Sequence, residues 1–376
     1  MKRNRAALAI IAVIVIIGGA VVIGHSTWHT SPPPKVNTVA PPVCPTPPPF
    51  QSNQTYTFSG CLTVPPTGYT LRGLTNVSII GGLWVDSNTN PCPFTKCGGG
   101  SALGRAAFTV LDGSGVTFND LTINGANVGG FHYHLADNAG INVEGTAGVT
   151  ISHVSISHVF GDALTLGALY QGVNPHVTTT PVTNAVVTSF TANAAGRQGI
   201  AAVDVNGLTA SNLTIGSTGY ESLDFEADTL GIGARNVTVT GAQLVAPINI
   251  SSAGASTGPI TISNASVTGA AGDAVNVKNL NGTPYAGPLT FTADSFRCGS
   301  SAYEACLNLH GANAITVSNS AFRLGFNNQL RGKLYAASGG THLTLTTNTV
   351  TGFVIKTTGS HDSTSTVTVT GDGNRL

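Results

Sequence analysis

The stretch that decides the fold is GVTISHVSISHVFGDALTLG, residues 148–167. It alternates apolar and polar side chains in short segments, and glycine, histidine or serine separates one segment from the next. Alternation with a period of two is typical of strands that bury one face, and small polar residues at segment ends are typical of turns. The stretch therefore predicts a succession of short strands joined by tight turns.

The same pattern returns along the chain. Segments such as NAGINVEG, GRQGIAAV, YESLDFEA and GDAVNVK each contain an aliphatic residue that we predict to point inward. These residues follow one another at intervals of 23, 36, 23, 25, 27, 32 and 27, and they are Ile141, Leu164, Ile200, Leu223, Ile248, Val275, Leu307 and Leu334. Two or three short strands in each repeat of ~25 residues are typical of a parallel β-helix. We predict an all-β solenoid over residues 51–376, and an antiparallel meander is the alternative.

The amino terminus has the composition of a membrane anchor. Residues 1–5 carry three basic side chains, and the nineteen residues of 6–24 contain neither charge nor proline. A helix of that length nearly spans the ~30 Å core of a bilayer. We predict a cytoplasmic tail at 1–5, a single transmembrane helix at 6–24 and an extracellular remainder, because basic residues stay in the cytoplasm. The alternative is a cleaved signal peptide, which would make the protein secreted.

A proline-rich segment follows the predicted anchor. Residues 31–50 hold nine prolines, which fix the backbone and supply no hydrogen-bond donor. We predict that residues 25–50 form an extended linker. All six cysteines also follow the anchor, and an even count in an oxidising compartment is typical of disulfides. Of the fifteen formal pairings, we predict the neighbour pairs Cys44–Cys61, Cys92–Cys97 and Cys298–Cys306.

The composition excludes several classes of function. Charged residues make up only 9% of the 376 residues, with 16 basic and 16 acidic side chains. Such a balance offers no basic surface for nucleic acid, and so few charges exclude a coiled coil. The 41% hydrophobic content argues against intrinsic disorder.

Acidic residues cluster in one segment, GYESLDFEAD, residues 219–228. Alternation places Asp224, Glu226 and Asp228 on the outward face of a strand, with Glu221 at the preceding turn. In a chain this poor in charge, like charges on one face indicate a function or a counter-ion that offsets their repulsion. A solvated acidic strand without function is the alternative. In the predicted coils, Asp224 belongs to an outward row that also contains Asn142, Thr165, Ala201, Asn249, Asn276 and Asn308, and this row predicts a stabilising amide ladder.

Two reactions fit these carboxylates. Outward neighbours on a strand lie about 6.5–7 Å apart, which approaches the ~6.5–9.5 Å that separates acid and base in inverting glycosidases. Repulsion would raise one pKa and keep that carboxyl protonated as a general acid. Alternatively, the same oxygens bind Ca²⁺ and support elimination from a uronic-acid polymer, with Arg197 as base or as the site that binds the acidic sugar. Arg197 is also the natural ion-pair partner of the carboxylates.

The repeats at residues 55–82, 115–127 and 148–167 resemble the pectin-lyase-like superfamily, which includes pectate lyases and polygalacturonases. The resemblance covers nearly all of residues 51–376 and rests on the repeat pattern. It implies a right-handed parallel β-helix with a carbohydrate groove along one sheet. Asp162 is similar to one aspartate of the polygalacturonase double-Asp motif, but Gly161 stands at the other position. A turn-capping role is the alternative for Asp162, because Asp273 repeats it in GDAVNVK.

Histidines provide a last group of candidates. His132, His134, His153 and His158 lie close in sequence, and ordinary hydrogen-bonded histidines are the simplest interpretation. His158 precedes Asp162 and is a candidate substrate-binding residue near Arg197 on the next coil.

The sequence therefore predicts a polysaccharide- or glycoconjugate-active protein at the cell surface. Glu221, Asp224, Glu226 and Asp228 are the candidate catalytic residues, and Arg197, Asp162 and His158 are the candidate substrate-binding residues. The partners would be a polysaccharide or cell-surface glycan and the membrane. Hydrolysis is favoured over elimination, and no cofactor other than Ca²⁺ is suggested. The alternative function is a non-catalytic surface protein, adhesive or phage-tail-like, that binds glycans.

Overall fold

The computed structural model describes residues 44–87, 89, 91, 106–132, 135, 138–167, 180–227, 232–252, 258–269, 272–279, 285–298, 305–324, 333–351, 359–361 and 363–370. All of them belong to one of two compact units, Cys44–Leu376. The predicted tail at 1–5, the predicted anchor at 6–24 and most of the predicted linker at 25–50 lie outside these ranges. In the part of the chain that is described, no helix is long and apolar enough to cross a membrane.

The described residues form two sheets in which every strand pairs in parallel. An eleven-stranded sheet follows chain order and contains β2 (Tyr69–Arg72), β4 (Phe108–Leu111), β7 (Ile141–Glu144), β10 (Leu164–Gly167), β13 (Ile200–Val203), β15 (Leu223–Glu226), β17 (Ile248–Ser252), β20 (Val275–Asn279), β23 (Ala305–His310), β26 (Lys333–Ser338) and β29 (Gly359–His361). We call it the site sheet.

The remaining nineteen strands form the second sheet, which we call the back sheet. Its strands are β1 (Thr55–Thr63), β3 (Ser78–Val85), β5 (Thr117–Asn119), β6 (Thr122–Asn124), β8 (Thr150–Ser152), β9 (Ser155–Ser157), β11 (Thr183–Thr188), β12 (Thr191–Asn193), β14 (Asn206–Ile215), β16 (Arg235–Leu244), β18 (Ile260–Ser263), β19 (Ser266–Val267), β21 (Tyr285–Thr292), β22 (Ser295–Cys298), β24 (Ala312–Ser318), β25 (Ala321–Leu324), β27 (His342–Thr346), β28 (Thr349–Thr351) and β30 (Thr366–Thr370). The chain visits one strand of the site sheet and then one or two strands of the back sheet in each coil, which is the winding of a parallel β-helix.

The register confirms seven of the eight predicted inward positions. Leu164 pairs with Ile141 and Ile200, and Leu223 pairs with Ile200 and Ile248. The last predicted position is wrong by one residue, because Leu307 pairs with Tyr335 rather than with Leu334. Leu334 is itself buried and precedes Tyr335. Two consecutive apolar residues therefore concealed the true phase of this strand.

The coils turn at single residues in the left-handed backbone region. At one corner of the back sheet, φ lies between 51° and 54° at Asp120, His153, Ser189, Asn212, Asn264 and Asn319. Asn, Asp and His tolerate this region better than most residues. His153 therefore shapes a corner, and His158 occupies a second corner with φ of 57°.

The outer face of the back sheet carries rows of threonine. In one row, each residue pairs with its equivalent on the next coil, and the row runs through Thr209, Thr238, Thr261, Thr290, Thr316, Thr344 and Thr368. Two positions further along each strand, hydroxyls bond between coils, as between Thr240 and Ser263 at 3.2 Å and between Thr346 and Thr370 at 3.0 Å. β-Branched residues and cross-strand hydroxyl bonds both stabilise sheets.

Two of the three predicted disulfides are present. Cys44 pairs with Cys61 at a Cα–Cα distance of 5.1 Å, and Cys298 pairs with Cys306 at 5.2 Å. The third predicted pair, Cys92–Cys97, lies outside the described residues. Disulfides of this kind are typical of oxidising compartments.

Candidate active site

Outward residues of the site sheet form the predicted row across the coils. Asp224 on β15 pairs with Ala201 on β13 and with Asn249 on β17, and the row continues through Asn276 and Asn308. The predicted stacking is therefore confirmed. The amide ladder takes a different form, because Asn249 donates to Asp224 at 2.7 Å and Asn308 donates to Asp273 at 3.1 Å. These two asparagines therefore donate hydrogen bonds to carboxylates rather than to one another.

A second polar row lies just before the strands. Asp162, Gln198 and Glu221 each stand two residues ahead of the first inward residue of β10, β13 or β15, so the common register of the coils brings their side chains together. All three are buried. Gln198 is the residue that the sequence interpretation missed. Its alignment with Asp162 and Glu221 in the repeat was the signal that could have found it.

Gln198 connects two of the predicted catalytic carboxyls. Its amide nitrogen donates to Glu221 at 3.0 Å and also to Asp224. Since one nitrogen serves both groups, the two accepting oxygens lie within about 6 Å of each other. The Gln198 side-chain oxygen Oε1 is buried and has no hydrogen-bond partner among the described residues.

Asp224 is the most buried of the three predicted catalytic residues that the structure describes. Its side chain is inaccessible to solvent, with 0% exposure, whereas Glu226 is half-buried. Burial and the nearby charge of Glu221 raise the pKa of Asp224 to about 7, against the opposing hydrogen bond from Asn249 and the charge of Arg197. The Asp224 and Glu226 side chains are hydrogen-bonded, and burial together with the Asp224 charge raises the pKa of Glu226 well above its usual range. The pair therefore shares a proton near neutral pH.

Arg197 is the cation of this site. Its guanidinium donates to the buried Asp162 carboxylate at 3.0 Å, and 16% of its side chain is exposed. Burial lowers the pKa of Arg197, but the charges of Asp162, Glu226, Asp224 and Glu221 outweigh burial and raise this pKa overall. Asp162 also accepts hydrogen bonds from the Gln198 backbone at 3.0 Å and from Thr165 at 3.1 Å. Asp162 and Arg197 thus form a buried ion pair beside the carboxyls.

Several predictions for this site need correction. The interpretation of Arg197 as a base is wrong, because its raised pKa keeps it protonated. The inverting-type spacing of Asp224 and Glu226 stays a prediction, although a hydrogen bond between the two carboxyls would bring them closer together. Asp224 points to the outer face as expected but is fully covered there. Asp228 lies outside the described residues.

His158 lies at a corner of the coil, apart from the carboxyl cluster. Its Nδ1 lies 3.1 Å from the Asn124 side-chain oxygen, and among the described residues it forms no hydrogen bond or ion pair with Arg197 or Asp162. The proposed substrate contact therefore has no geometric support. Among the described residues, no group of three or more His, Cys, Asp or Glu side chains is arranged to hold a metal ion.

An open cleft of about 150 Å³ lies next to the buried carboxyls. It is lined by Tyr220, Glu221, Pro247, Asn249, Asp273, Asn276 and Lys278. Lys278 lowers the pKa of Glu221, although burial raises that pKa overall. Glu221 thus belongs both to the Gln198 hydrogen-bond network and to the wall of a solvent-accessible cleft.

Comparisons with known proteins give structural likenesses only. No protein-family profile and no curated protein sequence matches the chain. The Agl-KA catalytic domain is 12% identical with a TM-score of 0.46, over 83% of this chain and 62% of that one. The catalytic unit of a thermostable GH87 α-1,3-glucanase from Streptomyces thermodiastaticus strain HF3-3 is 15% identical with a TM-score of 0.44, over 84% and 62%.

A tailspike of Acinetobacter phage vb_AbaP_AS12 is 10% identical with a TM-score of 0.42, over 86% of this chain and 57% of that one. The chain thus spans about three fifths of the length of these solved structures. Likenesses this distant say nothing about the chemistry of the present chain.

The raised pKa of Asp224 predicts a pH-dependent stability. Because its folded-state pKa is about 7, its contribution to the free energy of unfolding is complete below about pH 4 and is lost as the pH rises through 7. We expect the wild-type protein to be less stable at pH 8 than at pH 5, and Asp224→Asn to reduce that difference. Chemical denaturation at both pH values measures the effect.

Asp294 supplies an internal comparison for this experiment. Asp294 lies between β21 and β22 of the back sheet. Burial raises the pKa of Asp294 to about 7, although the hydrogen bond from the Ala265 backbone lowers it. Asp294→Asn should reduce the pH difference independently, whereas Asp112→Asn, at an exposed turn, should leave it unchanged. An Asp224→Asn variant with the full wild-type pH dependence would contradict the raised pKa.

Proposed function

We propose that this protein hydrolyses glycosidic bonds of a polysaccharide or glycoconjugate on the outer face of the site sheet. The observation that carries the proposal is the Asp224–Glu226 pair, which holds a proton near pH 7 beside a cleft lined by Glu221. Most glycosidases use a protonated carboxyl as general acid and a second carboxylate as nucleophile or base. Membership of the pectin-lyase-like superfamily, with right-handed coils, is part of the same proposal and is supported by the sequence repeat.

Each residue has a proposed role. Glu226, the half-buried member of the pair, donates its proton to the glycosidic oxygen as the bond to the anomeric carbon breaks. Asp224 holds that proton in place, and Gln198 orients Asp224 and Glu221 together. Glu221 attacks the anomeric carbon from the cleft, and water then releases the sugar while Glu226 acts as base.

The close packing of the carboxyls favours retention of configuration. Retaining glycosidases hold their two carboxyl groups about 5–5.5 Å apart, whereas inverting enzymes need ~6.5–9.5 Å. Oxygens of Glu221 and Asp224 accept from a single nitrogen, and Asp224 is the neighbour of Glu226, so the proposal places the acid Glu226 and the nucleophile Glu221 at the shorter separation. Elimination is not proposed, because Arg197, the candidate base for that reaction, stays protonated.

The test is direct hydrolysis of a glycan panel by the full chain. Release of reducing ends from at least one neutral polysaccharide is expected, and NMR of the first product should show the anomeric configuration of the substrate. Inverted product would overturn the assignment of Glu221 as nucleophile. Absence of hydrolysis across the panel would overturn the proposed activity.

A second candidate function is glycan binding without catalysis. It is favoured by the near-complete burial of Glu221, since a reacting sugar must reach the proposed nucleophile. Tight binding of a glycan without any hydrolysis would support this second function over the first.

We also propose that residues 6–24 anchor the folded part outside the cell. The uncharged sequence of that segment and the two disulfides of the folded part support the proposal. Alkaline extraction should leave the full chain with the membranes, whereas release of the full chain into the soluble fraction would contradict the anchor.

A further inference from the structure

Two exposed aromatic rings lie beside the candidate active site. Phe131 and Tyr220 stack on each other with ring centroids 5.6 Å apart and an angle of 30° between the rings. Their exposed fractions are 51% and 44%. Large apolar rings of this kind are normally buried, so a stacked pair that faces solvent indicates a binding surface. We call this pair the aromatic platform.

The backbone holds the platform in place. The Tyr220 backbone N–H donates to the Arg197 carbonyl oxygen at 2.8 Å. His132, which follows Phe131, donates its backbone N–H to the Gly196 carbonyl oxygen at 2.9 Å. The loop that carries Phe131 is fixed by the buried Asn127 side chain, which donates to Val159 at 3.0 Å and accepts from Gly129 at 3.1 Å. The platform is therefore prepared before any ligand arrives, which reduces the entropy cost of binding.

Glycine at position 219 permits this arrangement. A Cβ atom there would lie 2.8 Å from the Phe131 ring and 2.2 Å from the Gly196 carbonyl oxygen. The Phe131 ring consequently packs directly over backbone, next to Tyr220. The platform depends on a close approach that any larger residue would prevent.

Each ring of the platform lines a cleft. Phe131 lines a cleft of about 250 Å³ together with Asn127, Ser217 and Thr218. Tyr220 lines the cleft of about 150 Å³ that contains Glu221, Asn249 and Lys278. The Asn249 side-chain oxygen is buried and has no hydrogen-bond partner within the described part of the chain, and the residue is 4% exposed. An unpaired buried acceptor in the second cleft points independently to a ligand that donates hydrogen bonds.

The charges around the platform select the kind of ligand. Asp273, Glu221 and the carboxyls behind them outnumber Lys278, and Arg197 is already engaged by Asp162. An anionic sugar would therefore be repelled, whereas the hydroxyl groups of an uncharged sugar can donate to these acceptors. Sugar rings also present a flat face of C–H groups, which packs on aromatic rings.

We propose that the Phe131–Tyr220 platform binds a ring of an uncharged glycan and aligns the glycan chain with the cleft that contains Glu221. This inference rests on the proposed function, because the platform would position the substrate of that same site. The glycan would cross the platform from the larger cleft to the smaller one. A sugar on Tyr220 then lies directly beside the carboxyls.

The experiment measures binding of hexasaccharides from glucan, mannan, galactan and xylan, with a polygalacturonate hexasaccharide as the charged probe. Phe131→Ala and Tyr220→Ala should each weaken binding of the best neutral probe about tenfold, whereas Tyr220→Phe should bind like wild type. Val128→Ala, in the same loop and 99% exposed, is the matched control and should change nothing. Thermal denaturation of each variant checks that the fold is intact.

The outcomes separate the platform from the activity. Unchanged binding in folded Phe131→Ala and Tyr220→Ala variants would overturn the platform and leave the hydrolysis proposal standing. Platform-dependent binding without hydrolysis would support the platform and overturn the proposed activity. Preferential binding of polygalacturonate would contradict the proposal that the ligand is uncharged. If the wild-type chain binds none of the probes, the whole inference is overturned.

Discussion

Glu226→Gln should reduce hydrolysis by about 10²–10⁴-fold on any glycan that the wild-type chain cleaves, because glutamine has no proton to donate to the leaving oxygen. The loss should appear in kcat, and binding of the substrate should persist. Steady-state kinetics over a pH series measures the effect. The wild-type profile should fall above neutral pH, where the Asp224–Glu226 pair loses its shared proton.

Asp120→Asn is the matched control for this variant. It also neutralises one carboxylate, but at an exposed corner of the back sheet, where the Asp120 side chain is 60% exposed. It should retain wild-type kinetics and the wild-type pH profile. Near-normal kcat in a folded Glu226→Gln variant would exclude Glu226 as the acid and would shift attention to the binding function.

Asp162→Ala should destabilise the fold by about 3–5 kcal/mol, because it leaves the largely buried Arg197 guanidinium without its close partner. Two further hydrogen bonds, from Gln198 and Thr165, are lost with the carboxylate. Urea denaturation at neutral pH measures the change in the free energy of unfolding. Replacing both members of the pair, as Asp162→Leu with Arg197→Met, should recover part of the loss, because no unpaired charge is then buried.

Asp273→Ala provides the comparison for Asp162→Ala. Asp273 occupies the same position before its strand but is only half-buried. The expected cost is below about 1 kcal/mol, as for other partly exposed polar groups. Equal losses in the two variants would contradict the special role of the Asp162–Arg197 pair and would indicate a general turn-capping role instead.

The sequence was most informative where one coil resembles the next. Apolar alternation predicted the inward positions from Ile141 to Leu307, and it predicted which outward residues stack on Asp224. It failed at Tyr335, where the preceding Leu334 is buried as well. Periodicity fixes which residues of a strand point inward only when the residues on either side of them are polar.

The site was harder to predict because its chemistry depends on contacts between coils. Gln198 reaches Asp224 across a separation of 26 residues, and nothing in the local sequence of either residue announces the contact. The exposure of Asp224 could not be predicted either. Alternation places Asp224 on the outer face, but the folded chain covers it there. Local alternation predicts which face of a strand a side chain occupies, whereas the pKa of that side chain depends on contacts from other coils.

The uneven coil lengths have a consequence for how such a protein can change. The coil between Leu164 and Ile200 is longer than the coil between Ile200 and Leu223, yet the strands of both coils pair in register. The site sheet therefore keeps its register, and with it the positions of Asp162, Asp224 and Glu226, despite a change in coil length. Insertions between the strands can accumulate during evolution without moving the candidate catalytic residues.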